Sequence, residues 1–270
     1  MLQLDNLLVL CLSYGSPGLQ TVQMLLDLRD AGATVRIVRG PADVCVARCI
    51  QAAAAEVCLA AIPTYEYILF LDNDVWSSAE SIAKMIQASR DLALQLGGVE
   101  PSLSGLYLNR HKRNKTAAAQ MRRGSKQLPC VLEGSAELTT VAVHAMTGLG
   151  AFLMPTDAFE AHCSESARMY WPDRQHTIPI VCNSHPIEAK ELAQYVDGID
   201  GEGRALFWQG EDFDFCVREF KAGRNVLVAP VLFRHTTTYE LDPIGSVTFP
   251  GLFAPSDELQ TLGPTPKSTT

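Results

Sequence analysis

Two aspartates at the end of an apolar segment are the first candidates for chemistry in this sequence. The segment Tyr67–Leu71 (YILFL) predicts a buried β-strand, and it runs directly into Asp72-Asn73-Asp74. Carboxylates two positions apart can point into the same space, and hard oxygen ligands suit Mg²⁺ or Mn²⁺. Such an ion would neutralise a diphosphate leaving group. For an isolated Asp-X-Asp, a helix cap plus a solvated loop acid is the simpler interpretation.

A second acidic pair, Glu211-Asp212, stands among aromatic residues in WQGEDFDFC. Acids in the first turn of a helix interact favourably with its dipole, which is the simpler explanation. The neighbours Trp208, Phe213 and Phe215 could also dock the face of a sugar. They could raise the pKa of a carboxylate towards that of a working general base.

A single late histidine, His235, follows Pro230 and the segment Phe233-Arg234. A lone histidine is more often structural than a metal ligand. A neutral imidazole nevertheless combines well with two carboxylates around Mn²⁺.

Strands and helices must position these residues, and they alternate over the first hundred positions. The predicted elements are a strand over Leu7–Leu12, a helix over Leu19–Ala31, a strand over Thr34–Val38, and helices over Val44–Ala61 and Ser78–Leu96. This alternation predicts an α/β fold with a parallel, doubly wound sheet. Ligands of such sheets gather beyond the carboxyl ends of the strands, so Tyr14-Gly15 and the Asp72-Asn73-Asp74 segment are expected over one crevice.

The rest of the chain is less regular. We predict a strand region over 97–109, a strand over Thr147–Pro155, a helix from about Glu211 to Gly223, and a strand over Asn225–Ala229. A single domain is expected over 1–250, with halves at 1–76 and 77–250. The Pro/Ser/Thr-rich segment 251–270 is expected to be a poorly ordered tail.

In order and spacing, these features resemble the glycosyltransferases of the GT-A fold, particularly the family-2-like enzymes common in bacteria and phages. ILFLDNDVW resembles their strand and DxD element, and VARCIQAAAA their preceding helix, with Cys49 where those enzymes usually have Asn. TGLGAFLMPTDAF resembles the glycine-flanked strand under the donor sugar. WQGEDFDFCVREFKAGRNVLVAPVLFRH resembles the segment that closes the domain.

The resemblance spans residues 5–240 and implies a Rossmann-like, mostly parallel sheet flanked by helices. It also implies metal-dependent transfer of a sugar from a nucleotide-sugar, by default a UDP-sugar, to an acceptor hydroxyl. The implied Mn²⁺ or Mg²⁺ ligands are Asp72, Asp74 and His235. Asp212 matches the general base of the inverting enzymes, with Glu211 beside the acceptor; some relatives retain configuration and use no base there. The implied donor-binding residues are Tyr14, Gly15, Arg48, Asp72, Asn73 and Gly150.

One segment has the opposite charge to the rest of the chain. No Asp or Glu occurs between Pro101 and Leu132, whereas seven Lys or Arg residues fall within 110–126. The simpler interpretation of this basic segment is a solvated loop, and the more specific one is a surface that contacts a phosphate backbone. Arg110, Arg122, Arg123 and Lys126, with Trp208, are therefore candidate acceptor-binding residues.

Among possible acceptors, a hydroxymethylated pyrimidine in phage DNA is favoured slightly; a duplex base would have to be flipped into the site. A polysaccharide, a lipid-linked sugar or a protein side chain stays open as the acceptor. An inactive GT-A domain that only binds nucleotide is a further alternative. A nucleotidyltransferase is disfavoured because the loop Ser13–Pro17 contains no basic residue.

Composition limits the class of protein. The chain has 270 residues, 22 Lys and Arg against 30 Asp and Glu, a net charge of −8, and 47% apolar residues, which excludes global disorder. We find neither a signal peptide nor an apolar run of the roughly 18–20 residues that a membrane span needs, so we expect a cytoplasmic protein. The eight cysteines form no CxxC pair and are expected as reduced thiols. Cys45 and Cys49 could share a helix face, which is weak evidence for a thiolate metal site.

Overall fold

The fold is built on one long β-sheet with helices against it. The computed structural model describes residues 3–107, 120–121, 127–130, 139–171, 176–195, 206–235, 240–241 and 247–248. The first elements along the chain are β1 (Leu7–Ser13), α1 (Leu19–Asp30), β2 (Thr34–Arg39), α2 (Val44–Ala61), β3 (Tyr67–Asp72), β4 (Val75–Trp76), α3 (Ala79–Gln95) and β5 (Ser102–Tyr107). For the strands and helices predicted before residue 97, these bounds lie within one or two residues of the prediction. The strand predicted over 97–109 begins only at Ser102, and β4 was not predicted.

The second half has shorter elements. They are β6 (Gln120–Met121), β7 (Gln127–Cys130), β8 (Thr139–Met146), β9 (Ala151–Pro155), α4 (Thr156–Glu165), β10 (Arg168–Tyr170), β11 (Thr177–Pro179), β12 (His185–Glu188), α5 (Ala189–Leu192), β13 (Leu206–Gln209), α6 (Glu211–Lys221), β14 (Val226–His235), β15 (Glu240–Leu241) and β16 (Val247–Thr248).

Two strand predictions in this half need correction. The strand predicted over Thr147–Pro155 begins only at Ala151. The strand predicted to end at Ala229 continues through Pro230 to His235, as β14. Proline has no N–H to donate to a neighbouring strand, and β14 accommodates it because its register against β5 shifts between Val228 and Leu232.

The order of strands in the main sheet is β2-β1-β3-β9-β5-β14-β8-β6, with β4 on β14 and β7 on β8. Strands β2, β1 and β3 are mutually parallel, and so are β5 and β14. Strand β9 lies antiparallel between β3 and β5, so five of the first six strands point the same way. The predicted fold class, a mostly parallel α/β sheet flanked by helices, is confirmed.

The sheet is buried on both faces, which is why its central strands are continuous apolar runs. Alternate residues of β1 enter two separate cores. Leu8 and Leu10 pack with α2, α4 and α6 on one face, whereas Leu7 and Val9 pack with α1 and α3 on the other. The result is a three-layer sandwich with the sheet in the middle.

Helix α2 is the one helix in the described part of the chain that is long and apolar enough to cross a membrane by length and composition alone. It packs against β1, and its buried side chains are Ala47, Arg48, Cys49, Gln51, Ala52, Ala55 and Leu59. A buried arginine and glutamine on its inner face are what a core helix of an α/β domain carries when it also borders a polar site. The tail 251–270 lies outside the described residues.

Candidate functional site

The carboxyl ends of β1 and β3 lie side by side and create the edge at which the site forms. Leu12 of β1 pairs with Asp72 of β3, so the loops after both strands begin at the same level. The N–H of Asp72 donates to the carbonyl of Gly150 at 2.9 Å, and the N–H of Gly18 donates to the carbonyl of Asn73 at 3.0 Å. The loop after β1, the DxD segment and the loop before β9 are thus joined by backbone hydrogen bonds, as the sequence predicted for the first two.

Helix α2 brings Arg48 to this edge. The helix begins at Asp43, whose carboxylate accepts from the N–H of Val46 at 3.1 Å. Arg48 lies just over one turn later with only 5% of its side chain exposed, and its Nη1 is 2.8 Å from Asp72 Oδ1. A nearly buried guanidinium therefore contacts the first acid of the DxD segment.

Gln51 holds this arginine, and the sequence analysis did not identify it. The Oε1 atom of Gln51 accepts from Arg48 Nη1 at 3.2 Å, while its Nε2 donates to the carbonyl of Leu10 in β1 at 2.7 Å. The side chain is fully buried. Its position three residues after Arg48, on the same helix face, was the available signal.

Helix α6 supplies the acids of the opposite wall. Gly210 precedes its first turn, which contains Glu211, Asp212 and Asp214. Asp214 accepts from the N–H of Asn183 at 2.8 Å and from Arg218 Nε at 2.8 Å, so this acid anchors the helix to the segment before β12. Glu211 and Asp212 are left to face the site.

Asp212 has the most perturbed electrostatics of the site. Burial of its carboxyl raises its pKa to about 7; Arg48 opposes the rise, and Glu211 and Asp72 add to it. The residue as a whole is half-buried, yet its Oδ1 is inaccessible to solvent and has no hydrogen-bond partner among the described residues. The backbone of Leu149 also interacts with this carboxyl and lowers its pKa. A carboxyl that titrates near neutral pH can exchange a proton with a bound hydroxyl under physiological conditions.

Arg48 responds to the same neighbours. Burial alone would lower the pKa of Arg48, but Asp72 and Asp212 outweigh it, so the pKa is raised and the charge is permanent. Its Nε is also buried without a hydrogen-bond partner. Among the described residues, the site therefore contains an unpaired buried donor, Arg48 Nε, and an unpaired buried acceptor, Asp212 Oδ1. Asp72 Oδ1 is also buried without a hydrogen bond, but it is held by its ion pair with Arg48.

Tyr14 lies at the mouth of the site with 44% of its side chain exposed. Burial raises the pKa of its phenol to about 12; Arg48 acts in the opposite direction, and Asp72, Glu211 and Asp212 add to the rise. These interactions place the ring near all four charged groups. At Gly15, an added Cβ would meet nothing within 4 Å, so the backbone beside Tyr14 is open.

Gly150 closes the floor beneath the DxD segment. A Cβ at this position would lie 3.2 Å from Asp72 Oδ2 and 3.5 Å from a methyl group of Val75. The missing side chain leaves room around the carboxylate oxygen that Arg48 does not contact. A side chain at position 150 would occupy this space beside Asp72 Oδ2.

The backbone brings the other two predicted metal ligands, Asp74 and His235, into neighbouring segments. Asp74 lies in the turn between β3 and β4, and the next residue, Val75, pairs with His235 of β14. Strand pairing thus joins two segments 160 positions apart in the sequence, and it brings the backbone of His235 beside the DxD segment. Among the side chains that the structure describes, no three of His, Cys, Asp or Glu converge to hold a metal.

The predicted acceptor residues are not assembled by the described structure. The backbone of Trp208 lies in β13, paired with Pro186. Arg110, Arg122, Arg123 and Lys126 lie outside the described residues.

The idea that aromatic neighbours of Asp212 dock a sugar is wrong for Phe215. This ring is 5% exposed, meets Phe152 edge-on at 5.4 Å and stacks on His162 at 4.4 Å. Phe213 is half-buried and packs against the same core. Phe215 follows Glu211 by four residues and Asp212 by three, so it lies on the same side of α6 but one turn further along, where the core covers it.

No family model and no curated protein sequence matches the chain. Among solved structures, it is similar to A197 from STIV, with 14% identity, a TM-score of 0.47, and coverage of 90% of this chain and 93% of that one. It is similar to a glycosyltransferase involved in glycosylation of the major capsid of PBCV-1, with 13% identity, a TM-score of 0.30, and coverage of 57% and 62%. A third is the inositol-1-phosphate CTP transferase from T. maritima, with 5% identity, a TM-score of 0.36, and coverage of 87% and 90%.

All three likenesses combine low sequence identity with a low TM-score. At such identities and TM-scores they concern the general arrangement of sheet and helices, and they assign no activity to this chain.

Proposed function

We propose that this protein is a metal-dependent glycosyltransferase that moves a sugar from a nucleotide-sugar, first of all a UDP-sugar, to an acceptor hydroxyl. The observation that carries the proposal is the meeting of Arg48, Asp72 and Asp212 at the carboxyl edge of the parallel sheet. The unpaired Arg48 Nε and Asp212 Oδ1 are a donor and an acceptor that a bound ligand would complete.

The donor would lie between the loop after β1 and the DxD segment. Tyr14 offers a partly exposed ring for the nucleoside base, and open backbone at Gly15 allows close approach. The backbone carbonyls of Asn73 and Gly150 accept hydrogen bonds from Gly18 and Asp72, so both residues lie at the base of the same site. Arg48 adds a fixed positive charge in a site of low dielectric, where it favours the negative charge of a diphosphate.

A divalent ion fits the donor set on the side of Asp72 that faces Gly150. Asp72 Oδ2 lies there in space that a side chain would occupy, and Asp74 follows in the adjoining turn. Asp72, Asp74 and His235 would hold the ion, and their hard oxygens and imidazole suit Mn²⁺ or Mg²⁺. When bound, such an ion supplies charge neutralisation for the departing nucleoside diphosphate.

Asp212 would accept the proton of the attacking hydroxyl. With a pKa of about 7, a large fraction of this carboxyl is ionised near neutral pH and is still basic enough for proton transfer. Glu211, the first residue of the same helix, would hold the acceptor beside it.

Donor hydrolysis and nucleotide binding, each measured with and without Mn²⁺, test the proposal. We expect Mn²⁺-dependent binding of UDP by calorimetry and slow release of sugar from UDP-sugar. Asp74→Asn should abolish the metal-dependent part of the affinity, whereas Asp91→Asn, on the exposed face of α3, should leave it unchanged. Metal-dependent affinity that survives Asp74→Asn would contradict the metal assignment. Tight nucleotide binding without any hydrolysis or transfer would favour a binding module.

For the acceptor we propose DNA that contains a hydroxymethylated pyrimidine, because of the basic segment 110–126. Nucleoside mass spectrometry after reaction with hydroxymethylated and unmodified DNA should show a glycosylated nucleoside only in the first. Replacing Arg122, Arg123 and Lys126 together by Ala should raise the acceptor KM and flatten the salt dependence of DNA binding, which is about −0.9 per phosphate contact. An unchanged KM and slope would favour a polysaccharide, lipid-linked or protein acceptor.

A further inference from the structure

Two buried cysteines are in contact immediately behind the candidate site. Cys49 follows Arg48 in α2, and Cys182 lies in the segment between β11 and β12; each is 1% exposed. The Cys49 thiol donates to the backbone carbonyl of Cys182, with Sγ 4.0 Å from that oxygen, and the interaction between the two thiols shifts the pKa of each. The two residues are 133 positions apart in the sequence, so only the fold brings them together.

The two thiols are not equivalent. The hydrogen bond from Cys182 lowers the pKa of Cys49 against the effect of burial, and the backbone of Val181 and Cys182 and the charge of Arg218 lower it further. The pKa of Cys182 is raised, because it shares the proton with Cys49 and is buried. The first proton therefore leaves Cys49, which becomes the nucleophilic thiolate, and Cys182 keeps a thiol within reach of it.

Other buried cysteines have a different environment. Burial raises the pKa of Cys11 and of Cys163 to about 12, which makes both inert as nucleophiles. All seven cysteines whose side chains the structure describes are free thiols. The Cys49–Cys182 pair is thus distinguished both by contact and by charge.

A third cysteine, Cys45, lies close to Cys49 in sequence and is nearer to the surface than the pair. It lies one turn before Cys49, is partly exposed, and its Sγ is 3.1 Å from Ser184 Oγ. Among the described residues, no three of His, Cys, Asp or Glu are arranged to hold a metal, and the thiolate metal site that Cys45 and Cys49 suggested in sequence stays a prediction. A disulfide, unlike a metal site, requires only two sulfur atoms, and Cys49 and Cys182 supply them.

We propose that Cys49 and Cys182 are a redox modification site that forms a disulfide with low-molecular-weight disulfides. The Cys49 thiolate attacks one sulfur of the small disulfide, forms a mixed disulfide and releases one small thiolate. Cys182 then loses its proton to solvent and attacks Cys49 Sγ, which releases the second small thiolate. The protein loses two thiols and the reagent gains two, so electrons and protons balance.

The bond would link the two walls of the candidate site. Helix α2 carries Arg48, and the residue after Cys182, Asn183, holds Asp214 of α6 through its N–H at 2.8 Å. The disulfide would therefore tie the arginine wall to the helix that carries Asp212.

The test uses the folded full-length chain incubated with oxidised glutathione, quenched with N-ethylmaleimide and digested without reductant. Trypsin together with a glutamate-specific protease separates Cys45, Cys49 and Cys58, because Arg48 and Glu56 lie between them. We expect a cross-linked peptide pair containing Cys49 and Cys182, an intact mass lower by two hydrogens before alkylation, and complete reversal by dithiothreitol.

Cys49→Ala and Cys182→Ala should each abolish the cross-link, whereas Cys163→Ala, in the same core, should retain it. A Cys45–Cys182 cross-link, a cross-link that appears only in urea, or no cross-link would each overturn the assignment. The readout is a mass, so the proposal and the glycosyltransferase activity can fail independently of one another.

Discussion

Helix α6 carries a charged cluster at each end, and the two differ in one respect. In its first turn, Asp212 shares a site with Arg48 and Asp72, and both Asp212 Oδ1 and Arg48 Nε are buried without partners. In its third turn, Glu219 contacts His162 and Arg224, and none of these three has an unpaired buried side-chain atom. Buried polar groups are normally paired, so the incomplete cluster indicates where a ligand belongs.

The complete cluster is built for stability. His162 Nδ1 lies 2.6 Å from Glu219 Oε1, and its Nε2 lies 2.9 Å from the carbonyl of Val181. Arg224 reaches Glu219 and, through both terminal nitrogens, the carboxylate of Glu165 at 3.0 and 2.8 Å. Both imidazole nitrogens of His162 therefore lie within hydrogen-bonding distance of an oxygen atom.

Cavity size alone would favour the complete cluster over the proposed site. A cleft of about 380 Å³ lies beside the complete cluster, whereas the cavity that Arg48 borders measures about 20 Å³. The cations that line the larger cleft are already paired: Arg218 with Asp214, Lys221 with Glu191, and Arg224 with Glu165 and Glu219. Buried polar atoms without hydrogen-bond partners distinguish the two regions better than cavity volume does.

Removing the carboxylate of Asp212 should have the largest effect on activity. Asp212→Asn should lower turnover by about 10²–10⁴, the usual cost of losing a general base, while donor affinity changes little. Steady-state kinetics and calorimetry measure the two quantities. Near-normal turnover would remove Asp212 from the mechanism and favour a retaining enzyme.

The same variant should change the pH dependence of stability. A carboxyl whose pKa rises from 3.8 to about 7 on folding stabilises the folded protein when protonated, and that contribution is lost as pH rises through this window. The wild-type free energy of unfolding should therefore fall between these pH values more steeply than that of Asp212→Asn. Parallel urea denaturation curves for the two proteins at pH 5 and pH 8 would contradict the raised pKa.

Breaking the complete cluster should affect stability and spare the site. Glu219→Gln leaves His162 and Arg224 without their buried counter-charge, and we expect a loss of about 3–5 kcal/mol in the free energy of unfolding. Glu165→Gln is the matched control, because Glu165 is exposed and an exposed pair contributes less than about 1 kcal/mol. Equal losses in the two variants would show that burial does not set the contribution of this cluster.

Arg48→Lys separates the charge of the arginine from its geometry. Lysine retains a cation near Asp72 but has no Nε, so it cannot contact Asp72 and a ligand as a planar fork. Nucleotide affinity should fall by roughly 10–100-fold, which corresponds to one charge-assisted hydrogen bond. Arg29→Lys, on the exposed end of α1, should leave affinity unchanged, and full affinity in Arg48→Lys would limit the role of Arg48 to charge.

The smallest expected effect is that of filling the space beneath Asp72. Gly150→Ala places a methyl group 3.2 Å from Asp72 Oδ2, closer than most carbon–oxygen contacts. We expect a several-fold loss of Mn²⁺-dependent affinity at nearly unchanged stability. Gly210→Ala adds a methyl that meets nothing within 4 Å, and it should not change the affinity. Equal affinities in the two variants would show that the space around Oδ2 is not used.

The fold was predictable because its signals are local. Buried parallel strands are continuous apolar runs, and the helices between them have a 3.6-residue period and end signals. Ser78 at the start of α3 is one such signal, since its hydroxyl accepts from Ser81 N–H at 3.1 Å. The placement of Asp72 at a strand end followed from the same patterns. The strand through Pro230 was missed because a bulge, which no local pattern announces, accommodates the proline.

What the sequence by itself determined is therefore the parallel sheet and the edge at which polar residues collect. It could not determine which acids of the Glu211–Asp214 turn face the site and which one anchors the helix, or that Gln51 holds Arg48. Nor could it determine that Phe215 stacks on His162 or that Cys49 meets Cys182. These pairings join residues up to 133 positions apart, or turn on which helix face the packing buries. Only the tertiary structure decides them, because hydrogen bonds and burial depend on the distance between atoms in space, whereas propensity and periodicity act only between near neighbours in the chain.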